Sequence, residues 1–287
     1  MSAAVSFLTP DQDYRKETGE NQSSLKHILK SPAHYQTAKN RQFTTTAAME
    51  IGSALHCLSL EGQEEFDKRY VMRPDDVKLT TKAGKEWVAE QKGKTVLSSG
   101  DWDTIIGMDK ALKRLSWFDA KEYGGEESYR KYNEVSIYWN DAEHDIPCKA
   151  RLDRVIGLGE GEQGIVLDLK TTDSIEYAKF IRKTLDLGYD FQAAWYTRAA
   201  ELAFGKPFIF VFVAIERNSP QPISIFEVDD VMMSEAVSKI DEALARLKRS
   251  TKTETWAPPE ILHHCLTLPP WYVSPVPVDC YEGKELF

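Results

Sequence analysis

Three carboxylates, a lysine and a histidine in this chain sit at spacings that packing alone does not require. In Ile165-Val166-Leu167-Asp168-Leu169-Lys170-Thr171, an extended backbone puts Ile165, Leu167 and Leu169 on one face and Val166, Asp168 and Lys170 on the other. An acid and a base thus project together from an otherwise apolar strand, where burial of both is costly unless something offsets it. An ion pair on an exposed edge would account for the same short pattern. In Cys148-Lys149-Ala150-Arg151-Leu152-Asp153-Arg154-Val155, the residues Lys149, Arg151 and Asp153 share one face, with Ala150 and Leu152 on the other. If the two segments are antiparallel neighbours joined by the Gly157–Gly164 loop, Asp153 and Asp168 converge. Two carboxylates in one place hinder each other's ionisation unless a divalent cation lies between them. Mg²⁺ suits such a pair, because it takes one or two carboxylates together with waters and phosphate oxygens. The other account is that both are surface acids at loop ends.

Further polar residues attach to this pair. Glu134 shares a strand face with Tyr132, Ser136 and Tyr138, as an accessory ligand or water-holder, or as a cross-strand partner for Arg or Lys. Gln192 and Tyr196 are four apart in the helical DFQAAWYTRAAE, among Ala193, Ala194, Ala199 and Ala200. They either reach toward the acids and a substrate phosphate, or form a buried tyrosine with its hydroxyl tied off. His56 lies beside the Leu55/Leu58 stripe of a helix, one turn after Gly52, as a metal ligand or as a satisfied helical histidine. A glycine inside a helix signals close approach of another element.

The elements that must position these residues follow from periodicity and turn chemistry. Residues 1–20 are polar and are expected to be flexible. A helical stretch from Ser23 to Ala38 is expected to break or restart at Pro32, with Asn21 or Ser23 as cap; another runs from Thr46 to Leu60. Residues 61–100 read as charged and irregular, apart from the helix-like KEWVAEQKGK, and a further helix spans Asp101 to Ser116. Three consecutive strands follow, Ser128–Trp139, Pro147–Ile156 and Gly164–Thr171. Then come helices Ser174–Leu187 and Asp190–Phe204, strands Pro207–Glu216 and Ile223–Val228, and a helix from Asp229 to about Lys248. The order predicts one mixed α/β domain over 21–250, with a helical part at 21–120 and a core at 128–250. A Pro-rich extension occupies 251–287, and is expected to pack across a subunit boundary or to dock a partner protein.

Composition narrows the possible partners. The 287 residues carry 36 Lys+Arg against 45 Asp+Glu, a net charge of −9, so any nucleic-acid contact must be a local basic surface. Candidates are Arg69, Arg73, Lys78, Lys82, Lys85, Lys149 and Arg151. No apolar run approaches the ~18–20 residues of a membrane span, and the N-terminus shows no secretory pattern. A cytoplasmic protein with no membrane partner is expected. Cys57, Cys148, Cys265 and Cys280 form no CxxC pair and are expected to be reduced thiols; His263 and His264, being adjacent, are assigned no metal.

The pieces GSALHCL, CKARLDRV, LDLKTT and YDFQAAWYTRAAE, in this order over about residues 20–230, resemble the RecB-type branch of the PD-(D/E)xK nuclease superfamily. Within it they are most similar to RecE-like (exonuclease VIII) nuclease domains. The resemblance implies a restriction-endonuclease-like αβββαβ core binding one or two Mg²⁺ or Mn²⁺ ions per subunit. The implied metal ligands are His56, Asp153, Asp168 and the backbone carbonyl of Leu169. Lys170 would orient the attacking water or stabilise charge on the phosphate, with Glu134, Gln192 and Tyr196 in support. Asp168 stands where the family often has Glu, a shorter acid that also occurs in this branch. The implied activity is 5′ to 3′ digestion of double-stranded DNA from its ends by a homotetrameric ring. It leaves 3′ single strands for a RecT-like annealing protein, in a bacterial or phage-infected host. Three alternatives keep the fold: a structure- or site-specific endonuclease, an iron–sulfur AddB-like nuclease using the four cysteines, and a catalytically silent DNA-binding module.

Overall fold

The computed structural model describes residues 3–7, 9–41, 45–115, 118, 132–157 and 163–259. Ahead of the core lie strand β1 (Ala4–Ser6), helices α1 (Asp11–Lys16), α2 (Gln22–Leu25) and α3 (Pro32–Asn40), and helix α4 (Ala47–His56). The break at Pro32 is real: a 3₁₀ turn over Lys26–Leu29 ends the first stretch, and the Ser31 hydroxyl caps α3. Asn21 caps α2, accepting from the Ser24 N–H. α4 passes into a π-helical turn, Cys57–Glu61.

Residues 61–100 are more ordered than their composition suggests. Helix α5 (Gln63–Arg69), strand β2 (Tyr70–Met72), helix α6 (Lys82–Glu90) and strand β3 (Thr95–Leu97) follow one another, with β2 and β3 paired in parallel. Helix α7 (Ser99–Leu112) leads to β4 (Asn133–Asp141), β5 (Ile146–Ile156) and β6 (Gly164–Thr172). Helices α8 (Tyr177–Leu187) and α9 (Tyr189–Phe204) cross over to β7 (Phe208–Glu216), and β8 (Ile223–Glu227) and α10 (Asp230–Thr253) end the described core. The predicted start of the first core strand, 128–131, lies outside the described residues.

The six strands form one mixed sheet in the order β1-β4-β5-β6-β7-β8, with β6 and β7 parallel and the other pairs antiparallel. Two apolar layers cover it. One joins Val135, Ile137, Val166, Phe210 and Phe212 to α9, α10 and the first helices; the other joins Leu167, Leu169, Val213 and Ile215 to α4, α5 and α7. The amino-terminal helices therefore contribute to both layers of the core.

Two expectations about the chain ends are corrected. The described residues among the first twenty are held in place: β1 pairs with β4, Val5 and Phe7 pack on the first apolar layer, and the Glu20 N–H and C=O bridge β5 at Pro147 and Lys149. Their short apolar alternation outweighs the polar composition around it. At the other end α10 runs to Thr253, and Trp256 stacks on Tyr35 at 5.8 Å, returning the chain to α3. Residues 260–287, with Cys265, Cys280 and the histidine pair, lie outside the described residues.

Candidate active site

β6 pairs with β7 along its whole length, but with β5 over only three positions, ending at Arg154↔Leu167. Asp153 and Asp168 are the next residues on the two strands, so they meet where the strands part. In place of a ladder bond, the Leu169 N–H donates to Asp153 Oδ2 at 2.8 Å. The simple alternation expected for β5 fails at this point. Leu152 and Val155, three apart, join the same apolar layer, while the Arg154 guanidinium turns away to Asn133 and the Phe118 carbonyl. The irregularity is matched on β4, where Glu134 has φ +50°, in the left-handed region that side chains seldom adopt. The twist brings Glu134, Arg151 and Asp153 to the gap between β5 and β6.

Helix α4 delivers His56 to the same gap. A Cβ on Gly52 would lie 3.2 Å from Thr171 Oγ1, so the glycine permits the helix to approach β6 this closely. His56 Nε2 lies 2.8 Å from the Leu169 carbonyl oxygen and Nδ1 lies 3.4 Å from Asp153 Oδ2. Ligand atoms of His56, Glu134 and Asp153 all fall within 4.8 Å of one another. Of the two readings of Glu134, the cross-strand one is observed: Arg151 Nε donates to its carboxylate at 2.5 Å.

Asp168 is only 1% exposed. Gln192 Nε2 donates to its Oδ1 at 2.6 Å, and Lys170 Nζ stands 2.5 Å from its Oδ2. Tyr196 hydrogen-bonds Gln192, so this pair faces the acids across the α9–sheet interface. Tyr189 has no place among the sequence-derived candidates, yet its ring lies 4.8 Å from Lys170 Nζ. The helix break at Leu187-Gly188-Tyr189 is the sequence signal that would have placed it over β6.

The electrostatics follow from burial and crowding. Burial pushes the Asp153 carboxyl up to about 7, Asp168 and Glu134 adding to the rise and His56 opposing it. Burial disfavours the His56 imidazolium, but Asp153, Glu134 and Asp168 outweigh it and raise its pKa. Burial likewise works against the Lys170 ammonium, and Asp168 and Asp153 prevail, so the lysine stays charged. A protonated His56 ring donates to both Asp153 and the Leu169 carbonyl. Burial, then the Asp168 charge, holds the Tyr196 hydroxyl well above its usual range.

This donor set fits a hard divalent cation. It offers carboxylate oxygens, a backbone carbonyl and one imidazole in a confined space. Asp168 Oδ2 is buried, with the Lys170 ammonium as its close partner. His56, Glu134 and Asp153 offer the ligand atoms that cluster here, with the Leu169 carbonyl beside His56, while Asp168 is not part of that cluster and is held by Gln192 and Lys170. Beside them, a cavity of about 290 Å³ is lined by Leu60, Glu61, Arg69, Asn133, Glu134 and Arg151.

The basic residues singled out for DNA divide into two groups. Lys149 is buried and donates to the Tyr14 and Glu17 carbonyls, so its expected contact with a phosphate is corrected: the N-terminal segment takes the charge. Arg151 is held by Glu134 and the Thr9 carbonyl, and Arg69 by Glu61 and Glu65. Arg73 is half-buried, whereas Lys78, Lys82 and Lys85 are exposed on α6 and the turn before it. Cys57 and Cys148 are both free thiols, buried in different apolar layers.

A solved crystal structure of a candidate exonuclease from Eubacterium rectale is similar to this chain, with a TM-score of 0.60 and 17% identity over 91% of this chain and 97% of that one. No curated protein matches. Residues 21–265 match the family model described as a PDDEXK-like domain of unknown function (DUF3799). That span takes in β4 to β7, both aspartates, the lysine, the histidine helix and α9, and the chain belongs to this PDDEXK-like family and carries its nuclease fold.

Proposed function

We propose that this protein is a divalent-metal-dependent deoxyribonuclease hydrolysing phosphodiester bonds. The observation that carries the reading is the meeting of Asp153 and Asp168 at the parting of β5 and β6, with His56, Glu134 and Lys170 against them. When bound, Mg²⁺ or Mn²⁺ supplies positive charge against the phosphate and acidifies water. The chain supplies the rest. Asp153 and Asp168 provide negative charge at fixed positions, with Gln192 orienting Asp168 and the Leu169 N–H orienting Asp153. Lys170, kept charged, stabilises the charge that develops on the phosphate as the bond breaks. Tyr196 and Tyr189 shield the centre from bulk water.

The finer reading is an exonuclease that enters linear double-stranded DNA at its ends, proceeds 5′ to 3′ and leaves 3′ tails for a RecT-like annealing protein. A cytoplasmic homotetrameric ring belongs to this reading. Its support is the resemblance of the motif series and the likeness of the fold to the Eubacterium rectale protein. The separation of Cys57 from Cys148 argues against an iron–sulfur centre built on both. The retention of every charged site residue argues against a silent binding module. The test is digestion of linear and covalently closed duplexes by wild type and Lys170→Ala with Mg²⁺ or Mn²⁺. Cleavage by wild type alone, confined to linear DNA, supports the reading. Equal cleavage of closed circles removes the exonuclease, and no cleavage by wild type removes the enzyme.

A further inference from the structure

Three ammonium groups gather where α8 turns into α9. Gly188 makes this corner in the left-handed conformation, φ +68°, and a Cβ there would lie 3.1 Å from Lys26 Cδ. The Lys26 stem therefore lies against the corner, and its Nζ donates to the Leu187 carbonyl at 2.6 Å. Lys170 reaches the same corner from β6, over the Tyr189 ring. Thr172 follows Lys170 by two residues and so faces the same way, and Lys183 Nζ donates to its hydroxyl at 3.3 Å. The three lysines come from three separate elements.

Of these, Lys170 has a carboxylate partner. Among the described residues Lys26, Lys183 and the neighbouring Arg182 form no ion pair. Asp190, the acid that acts on Lys26, is itself taken by Lys239 at 2.6 Å. Burial, then the Lys170 charge, holds both Lys26 and Lys183 below their usual pKa. Asp186 lines one cavity with Arg182 and Lys183, but among the described residues it forms no ion pair with them or with Lys26. Clustered like charges cost stability in the free protein and recover it when an anion arrives. That cavity, of about 380 Å³ along α8 and lined by Lys179, Arg182, Lys183, Asp186 and Leu187, continues from the corner.

We propose that Lys26 and Lys183 hold a backbone phosphate of the bound DNA strand next to the one at Lys170, with Arg182 extending this track along α8. The proposal rests on the nuclease reading. Lysines act there as point charges, so they fix the position of the strand and carry no base preference. The test is binding of a 5′-phosphorylated duplex, with Ca²⁺ in place of Mg²⁺, followed from 50 to 200 mM salt, for wild type, Lys26→Gln/Lys183→Gln and Lys26→Arg/Lys183→Arg. The Gln pair is expected to flatten the log–log salt dependence by about 2 and to weaken all sequences alike. It should raise KM while leaving single-turnover cleavage at saturating DNA within about threefold; the Arg pair should restore wild-type binding. A wild-type salt slope in the Gln pair, or a loss that the Arg pair fails to restore, overturns the track while the nuclease stands. Absence of DNA binding by wild type overturns both.

Discussion

Asp153 is the residue on which the most predictions converge. Its carboxyl rises from an ordinary 3.8 to about 7 in the folded chain. A raised acid favours the folded, metal-free protein at low pH: that contribution is complete below about pH 4 and is lost as pH climbs through 7. The proton it holds must leave when a cation binds. Apparent Mn²⁺ affinity should therefore increase as pH rises from 6 through 7, since the His56 imidazolium, also held above its usual range, must lose its proton as well. Calorimetry at pH 6 in two buffers of different ionisation enthalpy should register proton release, and an affinity flat from pH 5.5 to 8 would contradict the ligand role. Lys170→Ala should still bind DNA, with no more than the modest loss of one phosphate contact, and cleave it about 10²–10³-fold more slowly, the scale of losing one preorganised donor. Asp168→Asn should abolish both Mn²⁺ binding and cleavage; calorimetry showing wild-type affinity would count against it. Much of this was legible in the sequence, because Asp-x-Lys on an apolar strand conflicts with simple burial. Tyr189 and the lysine corner were not, since their meaning depends on elements that join only in the fold. Lys149 misled because its spacing on the strand matched that of Arg151, while the segment that covers it was expected to be loose.

Among the elements, α4 and β1 invite direct tests. Gly52→Leu places a side chain where Thr171 stands 3.2 Å from the notional Cβ, and should push α4 and His56 away from β6. Cleavage should fall at least tenfold while helix content by circular dichroism is retained. Wild-type cleavage would show that His56 need not sit there. Removing residues 1–8 strips β1 from the edge of β4 and uncovers the surface beneath Val5 and Phe7. The melting temperature should drop by several degrees, roughly 1–2 kcal/mol in a domain this size; an unchanged melt would restore the picture of a loose tail. The strand and helix boundaries of the core were readable to within a few residues, because alternation and turn residues agree there. The parting of β5 from β6 was hidden, since both segments read as regular strands. The small pair β2 and β3 was hidden too: three-residue strands carry too little pattern to stand out from charged surroundings.

At the scale of the whole molecule, two apolar layers clamp the six-stranded sheet, and the proposed chemistry lies where β5 and β6 part. The split has a consequence for how such a protein can decay. Asp153 is also part of the scaffold, since its carboxylate accepts from the Leu169 N–H beyond the point where the β5–β6 ladder ends. Truncating it leaves a peptide group stranded in the interior, whereas truncating Lys170 removes an ammonium that lies over the Tyr189 and Phe212 rings and leaves Asp168 its Gln192 donor. Descendants released from selection for cutting DNA should accordingly shed the lysine early and keep the aspartate long after its catalytic use has ended.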